Sequence, residues 1–273
     1  MLNKILDADK YNHFQEYGYC VIDDLITPEQ SNSIIHTSEL LADALLSQNE
    51  GFNNSEKSYD KNLNNKLLQL VRSNRVDAGN VFDALIKIPL VNQIVYSSLL
   101  EKVAKQLLNS SLVLSPPSQM NLRADHPDEG KFLYPWHNDF SYNSSSSNSI
   151  VFWIPLQNVD LVNGALHVIP KSHRFLSSVR YDEESIKAKR SSTYFSIENI
   201  DEALQKNGEI RCPLRLGQGL VFHSKLIHKS GKNQSDKTRF ALQSRWFDGL
   251  SSDSVRGRFR GGLDEGVHPK EYL

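Results

Sequence analysis

The chain has 273 residues, 39% of them hydrophobic and 23% charged, with 31 basic side chains against 32 acidic ones. That balance argues against nucleic-acid partners and polybasic docking on a membrane, since both need a basic excess to meet phosphates. Two cysteines, Cys20 and Cys212, are too few for a disulfide framework or a Cys-rich zinc site, and both lie in apolar runs that read as buried, reduced thiols.

The opening MLNKILDADKYNHF spreads charge throughout and lacks an apolar stretch of about 7–15 residues, so no secretory leader is expected. No run approaches the roughly 18 apolar residues of a membrane span. A cytoplasmic location is the expectation. Thr27-Pro28-Glu29-Gln30 places an N-cap, a first-turn proline and a capping-box glutamine in order. Behind it Ile34, Leu41, Ala42 and Leu45 share one helical face. Residues 47–66 are polar and rich in Asn and Ser, and read as a loop or mobile flap. Tyr96, Leu100, Val103 and Leu107 share a face of a later helix.

From about residue 111 the pattern changes to short β-rich runs: SLVLS, QMNLRA, YPWHNDF, SIVFWIPL, GALHVIP, LRLGQGLVFHSKLIH and RFALQSRWF. Turn signals separate them, among them Pro-Pro, Asn-Gly, Gly-Gln-Gly and Ser-Gly. A polar stretch at 177–209 interrupts the series with a helical pattern. The expected fold class is mainly β with helical decoration: a closed or sandwiched antiparallel core at 111–250, with the helices of residues 1–110 packed on one face, as a single domain.

Chemistry enters through histidine. Residues i and i+2 of a strand project from one face, so His-x-acid is a metal-ligand pattern, although about one copy is expected by chance from nine histidines and 32 acids. The chain has two. His126-Pro127-Asp128 sits among charged neighbours and reads as an exposed turn. His137-Asn138-Asp139 sits among Tyr134, Trp136, Phe140 and Tyr142, where an ionisable pair needs compensation. A metal would supply it, and so would a structural His–Asp hydrogen bond. A distal ligand is available in His223 or His228. Arg239 heads an apolar strand: facing inward it needs an anion, which its planar fork grips as a carboxylate, and facing outward it is a surface arginine.

The succession HND at 137–139, HKSGKN from His228 and TRFAL around Arg239 strongly resembles the phytanoyl-CoA dioxygenase family. The opening FQEYGYCVIDDLITPEQ and the middle FWIPLQNVDLVNGALHVIPKSHR resemble it too, so the likeness covers residues 14–30 and about 115–247. Lys171 departs from the commoner Pro-Gly-Ser-His. The resemblance implies a double-stranded β-helix of the jelly-roll, cupin-like type, and an iron(II)- and 2-oxoglutarate-dependent oxygenase that uses O2 to hydroxylate a small-molecule substrate with release of succinate and CO2. It assigns His137, Asp139 and His228 to iron, as metal ligands and catalytic residues. Arg239 and Ser230 would hold the far carboxylate of 2-oxoglutarate, with Asn121, Tyr134 and Trp153 lining that pocket. Retention of Asp139 favours hydroxylation over halogenation, which relatives lacking the carboxylate perform.

Gln119, Arg123 and Arg245 are substrate-side candidates, and Arg245 reads equally as a rim salt bridge. His167 and His173 read as structural. Arg256, Arg258 and Arg260 read as a solvated C-terminal segment. Two other classes fit the same ligands: a non-catalytic β-helix binding protein, and a zinc hydrolase.

Overall fold

The computed structural model describes residues 5–48, 65–127, 129–130, 133–142, 146–175, 177, 179–181 and 195–260. Most of the 47–66 stretch and the middle of 177–209 lie outside these residues. Six helices come first: α1 (Ala8–Tyr17), α2 (Pro28–Gln48), α3 (Lys66–Ser73), α4 (Arg75–Leu85), α5 (Pro89–Val95) and α6 (Ser98–Leu108). α2 starts where its capping box places it. Thr27 N donates to Gln30 Oε1 at 2.9 Å and Gln30 N to Thr27 Oγ1 at 3.2 Å, so two otherwise orphaned amides satisfy each other's residues. α6 begins two residues later than the apolar spacing suggests. Ser97 caps it, and Tyr96 closes α5 with its ring exposed.

β1 (Tyr19–Ile22), β2 (Val113–Leu114), β3 (Asn121–Asp125), β4 (Ser149–Pro155), β9 (Gly219–His223) and β11 (Arg239–Asp248) build an antiparallel sheet in the order β1-β9-β4-β11-β2, with β3 also paired to β11. A second sheet has the order β10-β5-β8, from His228–Lys229, Leu166–Val168 and Ile210–Cys212. β6 (Val179–Tyr181) pairs with β7 (Phe195–Ile197), so the 177–209 stretch contains a ladder before its helix at Ile200–Asn207. The helical pattern overlooked that ladder because its strands are three residues each and sit in polar sequence.

Alternation along the strands sorts the core. Cys20, Ile22, Ile150, Phe152, Ile154, Val221, Phe240, Leu242 and Trp246 join one buried cluster with Ile34, Leu70, Val81, Leu85, Val91, Leu100 and Leu107 of the helices. The opposite face turns Tyr19, Val151, Trp153, Leu220, Phe222 and Ala241 toward Leu166, Val168 and Cys212 of the smaller sheet. Two sheets face each other and helices cover the outside of the larger one, the expected jelly-roll class. Cys20 and Cys212 are free thiols, and burial pushes both up to about 12. Among the described residues no helix is long and apolar enough to cross a membrane.

Candidate active site

The aromatic run around His137 is not a strand. His137 makes a one-residue bridge to His228: His137 N donates to His228 O at 3.0 Å, and His228 N donates to His137 O at 2.9 Å. The chain then turns. Asn138 Oδ1 accepts from Ser141 N at 2.9 Å and Ser141 Oγ at 2.8 Å, capping a 3₁₀ turn at Asp139–Ser141. Phe140 N donates to Ser224 O, which pins that turn beside the end of β9. An asparagine that bonds its own backbone competes with ladder formation, and here it swings Asp139 back toward the histidines.

His137, Asp139 and His228 are all buried, and one ligand atom from each lies within 4.8 Å of the others. Asp139 Oδ1 is 3.4 Å from His137 Nε2 and 3.5 Å from His228 Nε2. The other ring nitrogens are engaged: His137 Nδ1 meets Pro135 O at 2.8 Å and His228 Nδ1 meets Leu226 O at 2.9 Å. A carbonyl only accepts, so both rings carry their proton on Nδ1 and present a lone pair at Nε2. Burial, with His137 alongside, pushes His228 down to about 3 and keeps it neutral. Burial alone would raise the Asp139 carboxyl, but the Arg245 charge and the two neighbouring rings hold it below the usual carboxylate range. Two neutral imidazoles and one carboxylate oxygen, with their outer atoms fixed by backbone and guanidinium, fit a divalent first-row metal such as iron(II).

The larger sheet's inner face continues from this triad as a polar strip. Asn121, Gln243 and Trp153 stand abreast on β3, β11 and β4, followed by Arg123, Asp125 and Arg239 toward one end. Arg239 faces inward and is only 1% exposed. Its Nη1 donates to Gly164 O and its Nη2 to Asp125 Oδ2. Asp125 Oδ1 accepts from Arg123 Nη2 at 2.7 Å, so two guanidinium groups share one carboxylate. Burial would raise the Asp125 carboxyl, but both arginines bring it down to about 2.

Among the described residues, three buried polar atoms on this strip have no partner: Arg239 Nε, Trp153 Nε1 and Asn121 Oδ1. Orphaned buried groups cost about 1–3 kcal/mol each, and these three lie on adjacent strands with Arg239 Cζ 5.4 Å from the Trp153 ring centre. A carboxylate ligand such as 2-oxoglutarate would satisfy the two N–H donors. The glycine motifs shape the Arg239 end of this strip. Gly164 adopts φ +96°, where a Cβ would lie 2.8 Å from Gly231 O, and a Cβ on Gly231 would overlap the Ala165 carbonyl. Only glycines allow the two turns to pack backbone to backbone and offer the Gly164 carbonyl to Arg239.

Tyr134 packs on the His137 ring at 5.1 Å and under the Arg123 guanidinium at 4.6 Å. Ser230 N donates to the Tyr134 backbone carbonyl at 3.1 Å, which ties the two segments together. Gln119 lies in a 3₁₀ turn ahead of β3 rather than in the strand, and is buried. Arg245 is committed to protein partners: Asp139, the Gln119 carbonyl and Gln243. Asp125 and Gln243 were not singled out from sequence, although their strand parity with Arg123 and Arg239 places them on the same face.

The other described histidines lie outside the triad. His126 is buried rather than exposed: it stacks on Phe82 and its Nδ1 meets Thr238 Oγ1 at 2.8 Å, because β3 runs on to its doorstep beside β11. His167 Nδ1 pairs with Glu209 at 2.6 Å, and His173 packs beside His223. Arg256, Arg258 and Arg260 are exposed.

The phytanoyl-CoA dioxygenase family model matches residues 14–241. The chain belongs to this family. It is 30% identical over 126 residues to the peroxisomal phytanoyl-CoA dioxygenase of Bos taurus, covering 45% of this chain and 36% of that protein. It is 24% identical over 240 residues to a probable alpha-ketoglutarate-dependent hypophosphite dioxygenase of Stutzerimonas stutzeri, covering 86% of this chain and 77% of that one. The match thus spans only about a third of the bovine relative's length. Among solved structures, the epimerase SnoN in complex with Fe3+, alpha ketoglutarate and nogalamycin RO shares the fold at TM-score 0.56 and 15% identity, over 88% of this chain and 83% of that one.

Proposed function

We propose that the protein is an iron(II)- and 2-oxoglutarate-dependent dioxygenase that hydroxylates a small organic substrate, releasing succinate and CO2. The observation that carries this reading is the buried triad of His137 Nε2, Asp139 Oδ1 and His228 Nε2, with both imidazole tautomers set by backbone carbonyls. Family membership and the iron and alpha ketoglutarate held by the SnoN neighbour support it. What iron supplies when bound is the coupling of 2-oxoglutarate decarboxylation by O2 to oxidation of the substrate.

The chain's own residues do the rest. His137 and His228 keep their protons on Nδ1, turned away from the centre. Arg239 offers its orphaned Nε to a carboxylate, with Ser230, Asn121, Tyr134 and Trp153 around the same space as cosubstrate-binding residues. Two arginines against one Asp125 leave an excess positive charge that an incoming carboxylate neutralises. Val151, Phe222, Leu226 and Ala241 exclude water from the inner face. Arg123 and Gln119 border the strip on the substrate side. A zinc hydrolase gives no reason for a buried arginine with an orphaned donor on the same inner face, and a passive binding protein would differ by releasing no succinate. The two buried free thiols suit a reducing compartment such as the cytoplasm.

Anaerobic titration of metal-free protein with iron(II) and 2-oxoglutarate tests the reading. We expect a weak visible charge-transfer band that requires both additions, vanishes in His228→Ala and weakens at least tenfold in apparent cosubstrate affinity in Arg239→Ala. A folded wild-type protein that binds iron(II) but gives no band with 2-oxoglutarate would overturn it.

A further inference from the structure

Arg245 occupies the inner face of β11, and its guanidinium is held on every side. Nε and Nη2 reach the same oxygen, Asp139 Oδ2, at 2.9 and 2.8 Å. Nη1 donates to the Gln119 carbonyl at 3.1 Å and Nη2 to Gln243 Oε1 at 3.1 Å. These anchors come from the turn before β3 and from β11 itself, so the fork has no direction in which to swing. Asp139 is correspondingly left with Oδ1 as the oxygen that faces His137 and His228.

We infer that Arg245 is a positioning residue that clamps Asp139 as a one-oxygen metal ligand and cancels its charge, so that the metal's remaining positions and its full positive charge are available to dianionic 2-oxoglutarate. The inference rests on the oxygenase reading and extends it to a residue outside the ligand set. The physical argument has two parts. A carboxylate whose second oxygen accepts two charge-assisted bonds cannot rotate to chelate an ion with both oxygens. A buried cation in contact with a buried anion removes that anion's field from the centre, where low dielectric would otherwise weaken the attraction of a second, doubly charged anion. Lysine retains the charge but is a point donor without the fork, so it separates the two effects.

The test uses Co(II) as the metal probe. Metal-free wild type, Arg245→Met and Arg245→Lys are titrated first with Co(II) alone, following its visible absorption, and then with 2-oxoglutarate. In Arg245→Met we expect Co(II) affinity equal to or tighter than wild type, because the Asp139 charge is no longer masked, a changed metal-only absorption spectrum, and 2-oxoglutarate affinity weakened about tenfold or more. Arg245→Lys should restore most of the cosubstrate affinity and retain the changed spectrum. An Arg245→Met protein with wild-type spectrum and cosubstrate affinity overturns the inference, as does a parallel loss of both affinities, the signature of a strut. If Arg245→Met does not melt cooperatively, the Lys variant decides: an unchanged Co(II) spectrum overturns the clamp. A wild type that takes up Co(II) but no 2-oxoglutarate overturns the oxygenase reading instead, and the metal-only spectra still decide the clamp.

Discussion

Asp125 is a buried carboxylate shared by two guanidinium groups. One oxygen meets Arg123 and the other Arg239, and it is 5% exposed. Removing one partner of a buried ion pair leaves an uncompensated charge, at a cost of about 3–5 kcal/mol. Asp125→Ala should therefore lower unfolding free energy by about that amount in urea titrations, and an Asp125→Ala/Arg123→Met pair should recover part of it. His126 teaches the complementary lesson. Its Pro and acidic neighbours signal an exposed turn, but the ring is buried against Phe82 because the residue just before it ends β3 opposite Arg239. Local composition carries no information about which distant strand will lie alongside.

Among the elements, α2 is the one whose start is written most fully in the chain. The Thr27–Gln30 capping box predicted from four consecutive residues is made by both reciprocal bonds. Thr27→Ala should cost about 1 kcal/mol of stability, read as a lower urea midpoint. The iron(II) and 2-oxoglutarate titration should stay unchanged, since α2 packs on the outer face of the larger sheet. β11 is the opposite case, a strand whose two faces do different work. Phe240, Leu242 and Trp246 join the helices, while Arg239, Gln243 and Arg245 line the inner strip. That alternation is legible in RFALQSRWF. The aromatic segment around His137 shows a similar apolar pattern but is a bridge plus a 3₁₀ turn, because the Asn138 side chain accepts from the Ser141 backbone amide.

Across the molecule, buried neutral histidines set the response to acid. Burial brings His126 down to about 4 and His223 to about 3, while in the unfolded chain a histidine titrates near about 6.5. Folded values below unfolded ones mean the unfolded state binds more protons. The stability they contribute is complete above about pH 6.5 and is lost as pH falls toward 4 and then 3. Each group costs about 1.4 kcal/mol per pH unit well below 6.5, so the pair should give a slope of about 2–3 kcal/mol per unit between pH 5.5 and 4.5. Urea midpoints measured across that window check it, and His126→Gln should lower the slope by about 1 kcal/mol per unit, the share of one such histidine. We also infer that the helices and strands unfold as one domain, because a single apolar cluster joins α2–α6 to the larger sheet.

Three spaced motifs, read in order, were enough to indicate the family and the jelly-roll class, and they named His137, Asp139 and His228, which the structure brings together, because ligand chemistry and turn glycines restrict residue type at fixed positions. What those motifs could not contain was the arrangement around them. The Asp125 bridge between two arginines, the grip of Arg245 on Asp139 and the burial of His126 all join residues far apart in the chain. Each depends on strand register, which is set by the packing of two whole sheets and their helices rather than by any local run of residues.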